Sequence, residues 1–186
     1  LLVLIAGCDK DKKGVVPPAE LVDLKPTLAV QKLWDTGVGG GGEKLRLALG
    51  LALDRGVLYT AARGGEVIAL DPASGRAKWS QDTKADLAAG PGVGASLVAV
   101  GTSDGKVIAL DVASGKVLWQ ASVSSEVLSA PLVTGDRVIV RSVDGRVHAL
   151  DALTGKSQWT GEEPVPKLSL RGTAPPVLAK DNVIAG

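Results

Sequence analysis

The stretch "GKVIALDVASGKVLW" (residues 105–119) decides the fold, because the chain writes it three times. "GEVIALDPASGRAKW" (65–79) precedes it by 40 residues and "GRVHALDALTGKSQW" (145–159) follows it by 40. Gly, Val, Ala, Leu, Asp, Ser or Thr, Gly, a cation and Trp recur at fixed offsets. A fixed period of this length marks a repeat architecture, in which each unit buries its apolar face against its neighbours.

The chemistry within one repeat is that of β-structure. "VIAL" and "VHAL" are short apolar runs bounded by Gly and Asp, as strands are. A second apolar run stands upstream of each: "GVLYTAA" (56–62), "SLVAVGT" (96–102) and "RVIVRSV" (137–143). "SDG" (103–105) and "VDG" (143–145) join the two runs as hairpins, since Gly accepts positive φ. The Asp of each D-x-x-[S/T]-G (Asp71, Asp111, Asp151) accepts backbone N–H groups in a turn, and Gly75, Gly115 and Gly155 take the left-handed position. Each unit therefore holds about four strands: a Pro-led strand, two hairpin strands and one ending in Trp. Forty residues of four-stranded meander predict one blade of an all-β propeller. A fourth copy begins at "NVIAG" (182–186), which reads as a fragment of a longer protein.

The terminal Trp of each block (Trp79, Trp119, Trp159) is the largest apolar group available. Burying about 150–250 Å² at ~25 cal/mol/Å² contributes roughly 4–6 kcal/mol as an upper bound. These residues read as inter-blade structure: an indole stacked on a peptide plane kept close by Gly, with Ala beside it. Trp34, in "QKLWDT", has no such block before it and reads as the last strand of a blade whose other strands lie elsewhere.

Connection lengths break the regularity. Trp79 to Pro91 and Trp119 to Pro131 are each 12 residues, whereas Trp159 to Pro176 and Trp34 to Leu51 are each 17. The first long connection carries "PKLSLRG" (166–172) and the second "GVGGGGEKLRLALG" (37–50). Function is commonly grafted on such insertions. Leu168 and Leu170 project alike in an extended segment, with Arg171 nearby. Two readings stand: an apolar pair and Arg forming a protein-binding anchor, or leucines tucked under the loop with a solvated Arg. For Gly39–Gly42, slack is the default reading, because ordering glycine is costly.

The N-terminus, "LLVLIAGCDKDKK", is an apolar run ending in small residues before Cys8. Leu1 to Gly7 is too short to span a bilayer and matches the end of a signal-peptide apolar region. Ile5-Ala6-Gly7-Cys8 resembles the lipobox of bacterial lipoproteins, which implies lipidation of Cys8, multiple acyl chains and a stable membrane anchor. The boundaries are then 1–7 for the signal remnant, 8–28 for the lipidated N-terminus and a Pro-containing tether, and 29–186 for the N-terminal part of a propeller. A single Cys excludes an intrachain disulfide, and with His148 as the single histidine no soft-ligand metal site is expected. A net charge of +1, with scattered cations, lacks the stripe that nucleic acid requires.

The A-x-D-x-x-[S/T]-G-[K/R]-x-x-W blocks (Ala69 to Trp79, Ala109 to Trp119, Ala149 to Trp159) resemble the tryptophan-docking motif of PQQ-like propellers. Together with the lipobox, the tether and "LSLRG", the chain resembles the BamB family, lipoproteins of the outer-membrane β-barrel assembly (BAM) complex. That resemblance implies eight blades, about half of them present here, and a non-enzymatic scaffold without cofactor. It implies binding to the POTRA domains of BamA and help in delivering unfolded outer-membrane proteins. It carries the BamA contact onto Leu168, Leu170 and Arg171, and places the protein on the periplasmic face of the outer membrane. Asp9 after Cys8 departs from the sorting pattern and leaves inner-membrane retention as an alternative. Quinoprotein dehydrogenases share the blades, but need converging oxygens for calcium, a catalytic Asp and commonly a vicinal Cys pair. The repeated Asp residues read instead as turn formers. A propeller sensor or ligand-binding lipoprotein is the third reading.

Overall fold

The computed structural model describes residues 18–23, 25, 27–40, 47–162, 174–180 and 182–185. The chain divides into two units, Leu1–Lys32 and Leu33–Gly186. The described residues of the first are exposed and hold no helix or strand.

Among the described residues of the second unit, Leu33–Gly186, the elements are all strands. Blade one is β2 (Leu51–Asp54), β3 (Val57–Ala61), β4 (Glu66–Leu70) and β5 (Ala77–Asp82), in that order and antiparallel. Blade two is β6 (Leu87–Gly94), β7 (Leu97–Thr102), β8 (Lys106–Asp111) and β9 (Val117–Ser122). Blade three is β10 (Leu132–Val133), β11 (Arg137–Arg141), β12 (Arg146–Asp151) and β13 (Ser157–Glu162). A two-stranded sheet, β14 (Val177–Ala179) with β15 (Asn182–Ile184), starts a further unit. The repeat thus folds as propeller blades. The hairpin turns form where Gly permits them: Gly105 has φ +76° and Gly145 φ +88°.

Two features differ from the sequence expectation. Pro91 lies inside β6 rather than leading it, within the register shift between Ala89 and Gly92. The irregular ladder there accommodates a residue without an N–H donor. In addition β1 (Ala48–Leu49), just before blade one, pairs parallel with β6 of blade two, and Gly50 N–H donates to Gly90 O at 3.0 Å. The short stretch 48–54 therefore supplies strands to two blades, β1 to blade two and β2 to blade one.

The core is a series of seams between blades. Seam one joins Tyr59, Val67 and Ala69 of blade one to Val98, Val100, Ile108 and Leu110 of blade two. Seam two joins Leu97, Ala99, Val107 and Trp119 of blade two to Val138, Val140 and Leu150 of blade three. Alternation along each strand sends one set of side chains to either seam, so every blade is apolar on both faces.

Candidate partner-binding end of the propeller

The D-x-x-[S/T]-G turns prepare the inter-blade contact. Asp111 Oδ1 accepts Ser114 N–H at 2.8 Å and Ser114 Oγ–H at 2.6 Å. Asp71 does the same with Ala73 and Ser74, and Asp151 with Leu153 and Thr154. Hydrogen bonds from Ser74, Ser114 and Thr154 hold these three carboxyls below the usual carboxylate value. Each turn ends on a glycine at φ +69° to +74° (Gly75, Gly115, Gly155), and an indole lies on it. Trp79 Nε1 donates to Val112 O at 3.0 Å, Trp119 Nε1 to Ala152 O at 2.8 Å and Trp34 Nε1 to Pro72 O at 2.9 Å. A β-carbon at Gly115 or Gly155 would stand 2.5 Å from Cε3 of Trp79 or Trp119, so only glycine fits. Trp34, which no repeat block precedes, docks on blade one as the others dock on theirs. Trp159 is 39% exposed, against 8% for Trp119, and lines an open groove with Leu178 and Val183.

Asp71, Asp111 and Asp151 are therefore committed to backbone turns. No cluster of three or more His, Cys, Asp or Glu side chains that could hold a metal ion occurs among the described residues. A Ser, a His and an Asp do meet in blade three. However, Asp144 accepts from Ser142, and His148 Nδ1 faces Thr160 Oγ1 at 3.3 Å, so no carboxylate orients the ring. With His148 7% exposed, this is not a nucleophile–base–acid array open to substrate.

The connections from outer strand to next blade all leave from one end of the propeller. Glu66 pairs with Asp82, Lys106 with Ser122 and Arg146 with Glu162, so β5, β9 and β13 each finish beside their own blade's hairpin. The first two connections then thread between neighbouring hairpins. Thr83 N–H donates to Gly65 O and Ser103 N–H to Asp86 O; Val123 N–H donates to Gly105 O and Val143 N–H to Glu126 O. The connection after β13 starts from this same end, at Glu162, and rejoins the described chain at Ala174. Leu168, Leu170 and Arg171 fall within it and lie outside the described residues, as does Cys8.

Charges at this end are paired. Lys84 meets Asp82 at 2.5 Å and Lys106 meets Asp104 at 2.6 Å, and each lysine's hydrogen bond holds its Asp below the usual value. Arg146 bridges Asp144 at 3.0 Å and Glu162 at 3.3 Å, and Arg63 bridges Asp86 at 3.3 Å while also meeting Ser103 Oγ. Such exposed pairs add little stability, and with four cations against five carboxylates among them this end lacks the excess of positive charge that neutralises phosphates. Gly39, read as slack in the sequence, has φ +46° and sits where a β-carbon would be 2.5 Å from Ala62 Cβ, so it is a close-approach position beside the blade-one hairpin. The position-to-position pattern of the repeat, rather than any motif, was the signal that could have located the polar cluster around His148: Ile68 and Ile108 stand at its place in the other two blocks.

Known proteins agree with this architecture. The sequence matches the family described as "Outer membrane protein assembly factor BamB" over residues 29–89 and 63–186. A protein of that name from Pseudomonas aeruginosa is 41% identical over 98 residues, which cover 53% of this chain and 26% of that protein. The crystal structure of BamB from Moraxella catarrhalis superposes with a TM-score of 0.66 at 32% identity, over 74% of this chain and 41% of that one. A europium-containing methanol dehydrogenase superposes at 0.51 and 26% identity, over 62% of this chain and 24% of that one. The chain spans about a quarter of the length of the curated relatives it matches. With its matched region running from the first docking tryptophan through all three blades, the chain belongs to the outer membrane protein assembly factor BamB family.

Proposed function

We propose that this chain is part of a non-enzymatic scaffold lipoprotein of the outer-membrane protein assembly machinery, and that it binds the POTRA domains of BamA. The observation that carries the reading is the β13–β14 connection. It is five residues longer than its two counterparts, carries Leu168, Leu170 and Arg171, and starts from the hairpin end of a family propeller. An apolar pair with an arginine is the composition of an interface anchor. Cys8 carries the lipid, residues 8–28 form the tether, and the propeller stands on the periplasmic face of the outer membrane. Unfolded outer-membrane proteins are its clients. The repeated Asp71, Asp111 and Asp151 are bound into turns, which supports a structural rather than a quinoprotein-type role for them.

The test is binding of the full-length, lipid-free protein to isolated BamA POTRA domains, wild type beside Leu168→Ala/Leu170→Ala/Arg171→Ala, with circular dichroism as a check on folding. A folded variant that loses ~2 kcal/mol or more, a hot-spot-sized loss, establishes the anchor. Equal binding by both proteins places the contact elsewhere. No binding by the wild type removes the BamA reading itself.

A further inference from the structure

Seam two contains a polar group that seam one lacks. Val140 pairs directly with His148 across β11 and β12, so both point into the seam, on the same face as Val138 and Leu150. The ring is 7% exposed. Its Nε2 lies 3.0 Å from Ser124 Oγ and 3.2 Å from Ser142 Oγ, and its Nδ1 lies 3.3 Å from Thr160 Oγ1. Ser124 belongs to the connection between blades two and three, Ser142 to the blade-three hairpin and Thr160 to β13. The corresponding residues around Ile108 are Lys84, Thr102 and Gln120. Three hydroxyls from three segments therefore converge on one imidazole, in one seam only.

We propose that His148 is a proton-sensitive joint between blades two and three. Neutral, it ties the inter-blade connection to the blade-three hairpin; protonated, it places a cation in an apolar seam and loosens that end of it. The groups that face the ring are few. Asp144 on the hairpin favours the cation, and Arg146 on β12 opposes it. Arg146 is itself bridged to Glu162 of β13. The connection brings Glu126, whose backbone oxygen accepts Val143 N–H at 3.0 Å, and blade two brings the apolar Leu97, Ala99 and Val107. Burial is the largest influence and holds the imidazole below its ordinary 6.5. As pH falls, the opened or unfolded chain thus takes up the proton first. The joint is fully stable above 6.5 and weakens as pH drops below it.

The experiment is amide exchange on the full-length, lipid-free protein at two pH values either side of 6.5, read as protection factors so that intrinsic rates cancel. Val127 N–H, bonded to Thr102 O, and Val143 N–H, bonded to Glu126 O, report on the joint. Their protection is expected to fall by up to about tenfold per pH unit, the limit for one proton, while Val98 and Val100 in seam one hold theirs. His148→Ile should abolish the fall. An equal fall in His148→Ile, or none in the wild type, overturns the proposal. Should that variant not fold, the wild-type ring decides by proton NMR: an Hε1 resonance, assigned through Val140 and Thr160, that titrates at or above 6.5 overturns it as well.

Discussion

The two seams are built on the same register and closed by the same dock, yet they are filled differently. Seam one is wedged by Tyr59, whose ring is tilted 49° against Trp79 at 6.0 Å and whose hydroxyl is 3.5 Å from Val112 O, with Ile108 across the interface. In seam two Ala99 takes the place of Tyr59 and His148 that of Ile108. The indole N–H bonds nonetheless measure 3.0 Å and 2.8 Å. A glycine that admits the indole and a carboxylate that shapes the turn thus hold the blades in place. The interior between them is free to specialise, filled by an aromatic ring in one seam and by a hydrogen-bonded imidazole in the next.

The dock is where the comparison breaks most readily. Trp119→Ala removes an almost fully buried indole and leaves the Gly155 cradle empty, with an expected loss of ~3–5 kcal/mol by urea unfolding. Trp79→Ala should cost less, because Trp79 is only partly buried. Gly155→Val should reproduce the Trp119 effect from the other side, since it combines a collision with Trp119 and a branched residue at φ +71°. If Trp119→Ala costs under ~1 kcal/mol, the seams are held by their interiors instead, and the shared frame is not what sets them.

Moving the polar group between seams is the next test. Ile108→His puts an imidazole where Lys84 replaces Ser124 and where Thr102 Oγ1 is already engaged by Asp104 and by Lys106 N–H. A buried ring short of partners is expected to cost ~1–3 kcal/mol, read as a lower urea midpoint with unchanged slope. His148→Ile near neutral pH should cost less, because Ser142 keeps its bond to Asp144. Equal losses would mean that the two seams do not differ in their tolerance of a histidine.

Much of this was legible in the sequence, for a physical reason. A period of 40 residues repeats every structural demand, so Gly75, Gly115 and Gly155 and their Asp partners announce the turns, and the Val-Ile-Ala-Leu runs announce the hairpins. Features that occur once were not announced. Nothing in "ALGLALD" (48–54) says that Gly50 divides a parallel strand on blade two from the first strand of blade one. Gly39 looked like slack until Ala62 was found beside it. The lone His148 carried no motif, because its partners Ser124 and Thr160 are 24 and 12 residues away and meet only through the blade. The proposed contact residues Leu168, Leu170 and Arg171 were marked by the length of their connection, which stands out against the regularity of the other two.

The smallest effect separates the turns from the joint. Asp71, Asp111 and Asp151 hold their protons less tightly than an ordinary carboxyl of 3.8, chiefly through Ser74, Ser114 and Thr154. As pH falls, the unfolded chain is protonated first, so what these groups contribute is intact above 3.8 and lost below it. Because the carboxylates are exposed, screening by solvent keeps each contribution small. Asp111→Asn and Asp151→Asn together should flatten the acid limb slightly and leave any limb near 6.5 untouched. His148→Ile should do the reverse. Acid titrations of the two variants would therefore resolve two losses of stability at different pH: one common to every blade and set by the turns, the other confined to seam two. A double Asp variant that also removed the higher limb would show that His148 responds to the turns rather than to its own hydroxyl partners, and the two seams would then differ in degree only.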